Sequence, residues 1–354
     1  MIANDRPVHD RGARFLIIAA SLVIVLAGLR ASGPLLLPFL VSMFLAIISL
    51  PFMAVLRRWG LPSVLAVLAT VLTAVAVLAG VVTVIGQSLN EFTAAAPGYQ
   101  ARFQELIGWV LEWLEARGVD TAGWGAPDML NPAALMDLVG GTLRAVAAIA
   151  QNTFLVILTM VFILAEAAGF SGKLKAAFGD RSDHVERFGQ ITRQVQRYLA
   201  IKTLISLVTG ILVGLWVSLL GFGFPLLWGL VAFIFNYIPN LGSILAAIPP
   251  VLLALVQFGP ASASVLALGY LVINIGLANF LEPYLMGRRL GLSTLVVFMS
   301  LVFWGWIWGP VGMLLSVPLT VIVKIALENT EDFRWVAVML DAHPRRSTAR
   351  FFRR

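Results

Sequence analysis

Between Ile201 and Leu327 an apolar span is followed by an apolar segment broken in its middle, and the same pair then recurs. The first span covers roughly Ile201–Leu220. The broken segment after it is Pro225–Phe258, interrupted at Asn236-Tyr237-Ile238-Pro239-Asn240-Leu241-Gly242. The second span covers roughly Ser264–Met286. Its broken segment is Ser293–Leu327, interrupted at Trp304-Gly305-Trp306-Ile307-Trp308-Gly309-Pro310-Val311-Gly312. The broken segments align without a gap: Ile238 falls on Ile307, Leu245 on Leu314, Ala247 on Ser316 and Pro249 on Pro318, with Phe235 and Tyr237 on Trp304 and Trp306. Each arm has about 14–17 residues, roughly 21–25 Å of helix against a hydrocarbon core of about 30 Å. Arms that short predict hairpins that enter the membrane and return to the same face. One crossing plus one such hairpin crosses an odd number of times, so a second copy sits upside down, the inverted repeat of many secondary transporters. Four ordinary short helices kinked at proline are the competing reading.

The rest of the chain agrees with a membrane setting. Its residues are 60% hydrophobic and 12% charged, with a mean hydropathy of +0.92; a soluble domain carries roughly 25% charged residues. The apolar runs are continuous rather than alternating, which argues against a β-barrel. The expected fold is all-α: a polytopic helical membrane protein of about eight membrane segments, including two broken hairpins in inverted repeat. There is no cysteine, and His9, His184 and His343 lie outside the apolar spans. No metal site and no cofactor are expected. An intramembrane enzyme of rhomboid type needs a histidine in a span, and an aspartyl type needs two span aspartates; neither is found, so no enzymatic activity is expected. The net charge of +7 collects beside membrane segments, where the positive-inside bias accounts for it. It is not a nucleic-acid signal. The Arg345–Arg354 tail is a retention charge or a contact for anionic membrane lipid.

Residues 1–86 read as a polar lead and three scaffold spans, Phe15–Leu29, Pro34–Leu56 and Leu61–Ile85, with Arg57 and Arg58 marking the cytoplasmic side. Residues 87–143 read as an acidic outer loop domain. Tyr99, Phe103, Leu106, Val110 and Leu114 recur at helical spacing, so Tyr99–Glu115 is predicted as an amphipathic helix. Asn131-Pro132 reads as a helix start. Residues 144–200 hold a fourth span, Ala145–Ala165, and a basic cytoplasmic amphipathic helix with Asp183 and Glu186 at its start. Residues 201–327 are the repeat core and residues 328–354 a basic tail. With N- and C-termini cytoplasmic, every basic cluster falls on the cytoplasmic side.

Non-helical backbone at membrane depth persists only where protein or a water-filled cavity satisfies it. Asn236, Pro239, Asn240 and Gly242 in the first interruption, and Gly305, Gly309, Pro310 and Gly312 in the second, free carbonyls and let backbones approach closely. A small polar solute or a cation can be held between half-helix ends of opposite partial charge. The plainer alternative is that these residues only shape tight tips. Glu282 is the only acidic residue within Ser264–Met286. A carboxylate buried in a membrane points to function, and interfacial pairing with Arg288 and Arg289 explains it equally well. On a regular helix Asn274 and Glu282 share one face with Ala278, and Asn279 lies one turn before Glu282.

Three blocks resemble, in order and spacing, the signature of the autoinducer-2 exporter family. They are Asn236–Gly242 with Ile248-Pro249-Pro250; Glu282-Pro283-Tyr284-Leu285-Met286-Gly287; and Phe303–Gly312 with Val317-Pro318-Leu319. The first half of the chain is similar in layout alone. The resemblance implies a permease-like, multi-pass transporter of the bacterial inner membrane that assembles as a homo-oligomer and exports a small polar solute such as an autoinducer-2-like quorum-sensing signal. Alternating access, with the two tips as gates on opposite faces, is the expected mechanism. Members are also linked to sodium or lithium exchange for protons, so an antiporter with Glu282 as proton carrier stays open, as does a non-transporting scaffold.

Overall fold

The computed structural model describes residues 10–118, 137–142, 144, 153–178, 183–239, 241–286, 293–328, 330 and 334–340. Every regular element among them is helical: α1 (Asp10–Ala31), α2 (Gly33–Arg58), α3 (Ser63–Glu115), α4 (Thr153–Phe178), α5 (Asp183–Leu219), α6 (Pro225–Phe235), α7 (Gly242–Gly276), a π-turn (Leu277–Leu281), α8 (Glu282–Met286), α9 (Thr294–Glu328) and α10 (Arg334–Met339). Among the described residues five stretches are long and apolar enough to cross a membrane, and Leu16–Ala31, Thr153–Ala167 and Pro225–Phe235 are shorter apolar helices. The protein is a polytopic helical membrane protein.

Both predicted interruptions are breaks in the helices. The first separates α6, which ends at Phe235, from α7, which starts at Gly242. The second narrows to a single residue, Gly309 (φ 63, ψ −147), inside α9. A matching break at Gly259 (φ 83, ψ 179) ends the second arm of the first hairpin and starts the following span. Backbone of this kind is open to glycine and to almost nothing else. Each of these glycines precedes a proline, which has no N–H to carry the helix on. That α9 folds back is shown by Trp304, whose Nε1 donates to Thr320 Oγ1 at 3.1 Å across a separation of 16 residues. A straight helix would set those residues about 24 Å apart.

The two tips are closed in the same way. Gly242 lies against the carbonyl of Phe235, and Gly312 against the carbonyl of Trp304, so closely that a Cβ on either glycine would overlap that oxygen. Phe235 and Trp304 are partners in the repeat alignment; the glycines are out of step by one. The second tip is one residue longer than the first, an insertion that a gapless match hides.

The first hairpin is clamped to α5 through small residues. Gly210 and Gly214 of α5 face Gly229 of α6, where an added Cβ on Gly229 would stand 2.6 Å from the Gly210 carbonyl oxygen and 3.3 Å from Gly214 Cα. This is the close backbone approach that small residues four apart allow between membrane helices. We predict that Gly229→Val forces the helices apart at a cost on the order of 1–3 kcal/mol, read as a lower melting temperature in detergent. An unchanged melting temperature would show that the α5–α6 contact is not tight.

α2 and α3 are antiparallel around Ala46, Met53, Ala66 and Val71. α3 packs on the two arms of the first hairpin, α6 and α7, and its Ile85 and Phe92 share one core with Val213 and Val217 of α5. The first hairpin hangs from the C-terminal end of α5, and its tip reaches back to Thr203 and Ser206. The tip of the second reaches the opposite way, to the bend between α1 and α2. The hairpins therefore point in opposite directions.

α3 does not stop at Gln87. It runs unbroken for 53 residues, about 80 Å against a core of about 30 Å, so most of its distal half stands clear of the bilayer. The amphipathic stretch expected at Tyr99–Glu115 is its outer end. No proline lies between Ile85 and Phe92, Gly86 keeps a helical backbone there, and Pro97 is accommodated within the helix. Tyr99 and Phe103 lean on the first hairpin's core. Arg102 Nη1 donates to the carbonyl of Gln257 at 3.0 Å, an oxygen freed by the break at Gly259. Asn131 and Pro132 lie outside the described residues.

Candidate functional site

Beyond Arg197, where α5 becomes apolar, its polar residues gather mainly on one stripe. Tyr198, Lys202, Ser206 and Thr209 recur every three or four residues, with Thr203 beside them, which places them along one side of the helix. Lys202 is buried, its side chain only 6% exposed. An ammonium that deep is tolerable only with a counter-charge and hydrogen bonds. Glu282 supplies the charge, its two carboxylate oxygens 3.0 and 3.1 Å from Lys202 Nζ. Arg288 and Arg289, the partners suggested by sequence, lie outside the described residues.

Glu282 reaches Lys202 because the helix carrying it is irregular. The π-turn Leu277–Leu281 immediately precedes it, and a π-turn takes in more residues per turn than an α-turn. The face predicted for Asn274, Ala278 and Glu282 is consequently not a single stripe. Asn274 Nδ2 donates to Tyr270 O within its own helix at 2.8 Å. Ala278 and Asn279 are exposed on the single chain, and Glu282 turns inward.

The first tip lands on the same stripe of α5. Asn236 Nδ2 donates to Ser206 Oγ at 3.0 Å, and the Tyr237 hydroxyl donates to Thr203 Oγ1 at 2.8 Å. The Tyr237 ring stands edge-on to Phe44 at 5.5 Å and to Phe233 at 5.7 Å. Pro239 is half-buried, and backbone bonds from Leu241 N to Pro239 O (2.6 Å) and from Gly242 N to Ile238 O (3.2 Å) close the turn. Asn240 lies outside the described residues. Asn236, Tyr237 and Glu282 are thus gathered around Lys202, Thr203 and Ser206.

The second tip lies elsewhere. Trp308 Nε1 donates to Leu29 O at 2.9 Å, and the Arg30 guanidinium stands 5.4 Å over the Trp306 ring. Trp304 stacks on Trp308 at 5.0 Å. Gly305, Gly309, Pro310 and Gly312 shape this tip at the α1–α2 bend. They join the first tip only through a common aromatic core that includes Phe44, Tyr198, Tyr237, Trp304 and Trp308. The polar groups collect at one tip; the other contributes an aromatic wall.

Lys202, Tyr198, Thr203 and Ser206 escaped the sequence reading. Lys202 falls at the start of the span Ile201–Leu220, where it passes for an interfacial charge. A cation inside a span is itself the signal that marks it. Chemically, the cluster offers hydroxyls, an amide and a compensated ion pair. Such a set makes many hydrogen bonds and carries no net charge from the pair.

The pattern of the AI-2E family transporters matches residues 19–332. The chain is 40% identical over 331 residues to the AI-2 transport protein TqsA of Escherichia coli strain K12, covering 93% of this chain and 96% of that protein. It is 32% identical over 337 residues to YhhT of the same strain, provisionally named a transport protein, covering 95% and 97%. A Haemophilus influenzae protein with a similar provisional name is 34% identical over 333 residues, covering 92% and 96%.

Proposed function

The chain belongs to the AI-2E transporter family, and from that premise we propose that it exports a small, uncharged, hydrogen-bonding solute across the bacterial inner membrane by alternating access. One observation carries this reading: a membrane-depth hairpin tip docked through Asn236 and Tyr237 on the polar stripe of α5, beside the Lys202–Glu282 pair. An autoinducer-2-like hydroxylated solute suits such a site, and a relative named for AI-2 transport supports that choice. The solute replaces the contacts of Asn236 with Ser206 and of Tyr237 with Thr203 as the first tip lifts. The second tip opens the other face by releasing Trp308 from the Leu29 carbonyl. Because Lys202 already compensates Glu282, the site suits a neutral solute better than sodium or lithium. Pro239, Asn240, Gly242, Gly305, Gly309, Pro310 and Gly312 serve the tips as hinges, while Asn274 and Asn279 lie along the helix that presents Glu282. N- and C-termini are cytoplasmic, and the exposed apolar side of α1 meets lipid or a second copy in a homo-oligomer.

Flux in proteoliposomes tests this against a panel of labelled furanones, sodium and protons. The expected result is saturable movement of a hydroxylated furanone without a sodium gradient. Sodium-driven proton movement in its absence replaces the reading with antiport. No movement of any solute leaves a scaffold.

A further inference from the structure

A groove lies between α3 and α4, lined by none of the residues of the hairpin tips. Val64, Val67, Leu68 and Val71 of α3 and Val161 and Ala165 of α4 line it, Ser63 sits at its end, and it encloses about 320 Å³. Its walls are almost wholly hydrocarbon. Val64 and Leu68 are exposed along it, so it opens sideways toward the bilayer rather than toward a path through the protein.

The chemistry of its mouth decides what fills it. Ser63 begins α3, immediately after the turn that brings the chain back from α2. That turn starts from Arg57 and Arg58, both exposed, and contains Trp59, which is 75% exposed. Tryptophan and arginine together mark the boundary between hydrocarbon and headgroups. On the α4 side Glu166 follows Ala165, but Lys173 holds its carboxylate at 2.8 Å. The two arginines therefore set the sign of the mouth. A hydrocarbon groove whose Ser63 end follows, by the short turn of residues 59–62, two exposed arginines matches a molecule with an apolar tail and an anionic head.

We propose that this groove is a binding site for an anionic phospholipid, with an acyl chain lying along α3 and α4 and the phosphate held by Arg57 and Arg58. Basic pockets between membrane helices on the cytoplasmic side select such headgroups. The positive-inside bias places this end in the cytoplasmic leaflet. A helix of a second copy is the rival occupant. It would fill the apolar walls and leave the arginines unmatched.

Native mass spectrometry on the full chain in mild detergent tests the site, with phosphatidylglycerol and phosphatidylcholine of identical acyl chains as probes. One phosphatidylglycerol per chain is expected to survive activation that strips phosphatidylcholine. The surface double change Arg57→Glu with Arg58→Glu, which needs no repacking, is expected to lower that retention at least about tenfold. Val67→Trp and, from the opposite wall, Ala165→Phe fill the groove and are expected to remove the lipid. Equal retention of the two lipids by the unaltered chain overturns the proposal, as does retention untouched by the arginine or groove-filling changes. The chain has no cysteine of its own, so a Val64→Cys variant that oxidises into a linked pair of chains would instead assign the groove to a protein neighbour.

Discussion

Lys202→Met is expected to abolish solute flux in proteoliposomes, and Glu282→Gln to do the same, each by at least about a hundredfold. The reason is burial rather than sequence position. The two side chains are 6% and 24% exposed, and both carboxylate oxygens face the ammonium. Removing one partner of a buried pair strands the other charge at a cost of about 3–5 kcal/mol. At about 1.36 kcal/mol per decade that is two to three or more powers of ten in the population of the native site. The double variant Lys202→Met with Glu282→Gln removes both charges together, so no charge is stranded. It is expected to recover the melting temperature and at least about tenfold of the flux lost by either single change, since replacing a whole buried pair is often neutral. The double variant also discriminates between mechanisms. A carrier of neutral solute recovers with both charges gone, whereas an antiporter that loads its proton on Glu282 stays dead. If either single change leaves flux and melting temperature intact, the pair has no part in the site.

How much of this could be read from the residues depends on which physics leaves a mark. The hairpins were legible because a helix broken inside a membrane needs glycine and proline, and Gly259-Pro260, Gly309-Pro310 and Pro239 are visible as letters. The closing glycines Gly242 and Gly312 were visible too, but the extra residue in the second tip was not, since apolar neighbours align equally well in either register. The π-turn over Leu277–Leu281 has no compositional signature, so the inward swing of Glu282, and with it the loss of the Asn274 stripe, could not be foreseen. The length of α3 was hidden for the opposite reason. Its polarity changes near Gln87, as the chain leaves the membrane, while its backbone continues without a break. Lys202 carried a mark, a cation within a span, yet an apolar run is usually trimmed at its first charge and the residue was left at the edge. Pairing it with Glu282, 80 positions away, needed the fold.

Gly242→Ala and Gly312→Ala are expected to lose folded, transport-competent protein, each by more than about 3 kcal/mol, the range reserved for substitutions with no room to relax. In both tips the new methyl group would overlap a backbone carbonyl, that of Phe235 in the first and of Trp304 in the second. A flexible side chain could yield; a carbonyl at the end of a helical arm cannot move without opening the turn. The first tip would then drop Asn236 and Tyr237 from Ser206 and Thr203, and the second would pull Trp308 from Leu29. Gly80→Ala and Gly276→Ala are the controls, because an added Cβ meets nothing within 4 Å at either helical site. Alanine there is expected to be neutral or stabilising by up to about 1 kcal/mol, since it restricts the unfolded chain and favours helix. The measurement is thermal melting of the four variants side by side, with flux on those that fold. Equal melting temperatures for all four would mean that the tips are not closed over their glycines, and the repeat would lose its strongest structural support. If Gly242→Ala and Gly312→Ala fail together while the controls hold, two distant points in the chain are closed by one device, as expected of a duplicated unit whose copies face opposite ways.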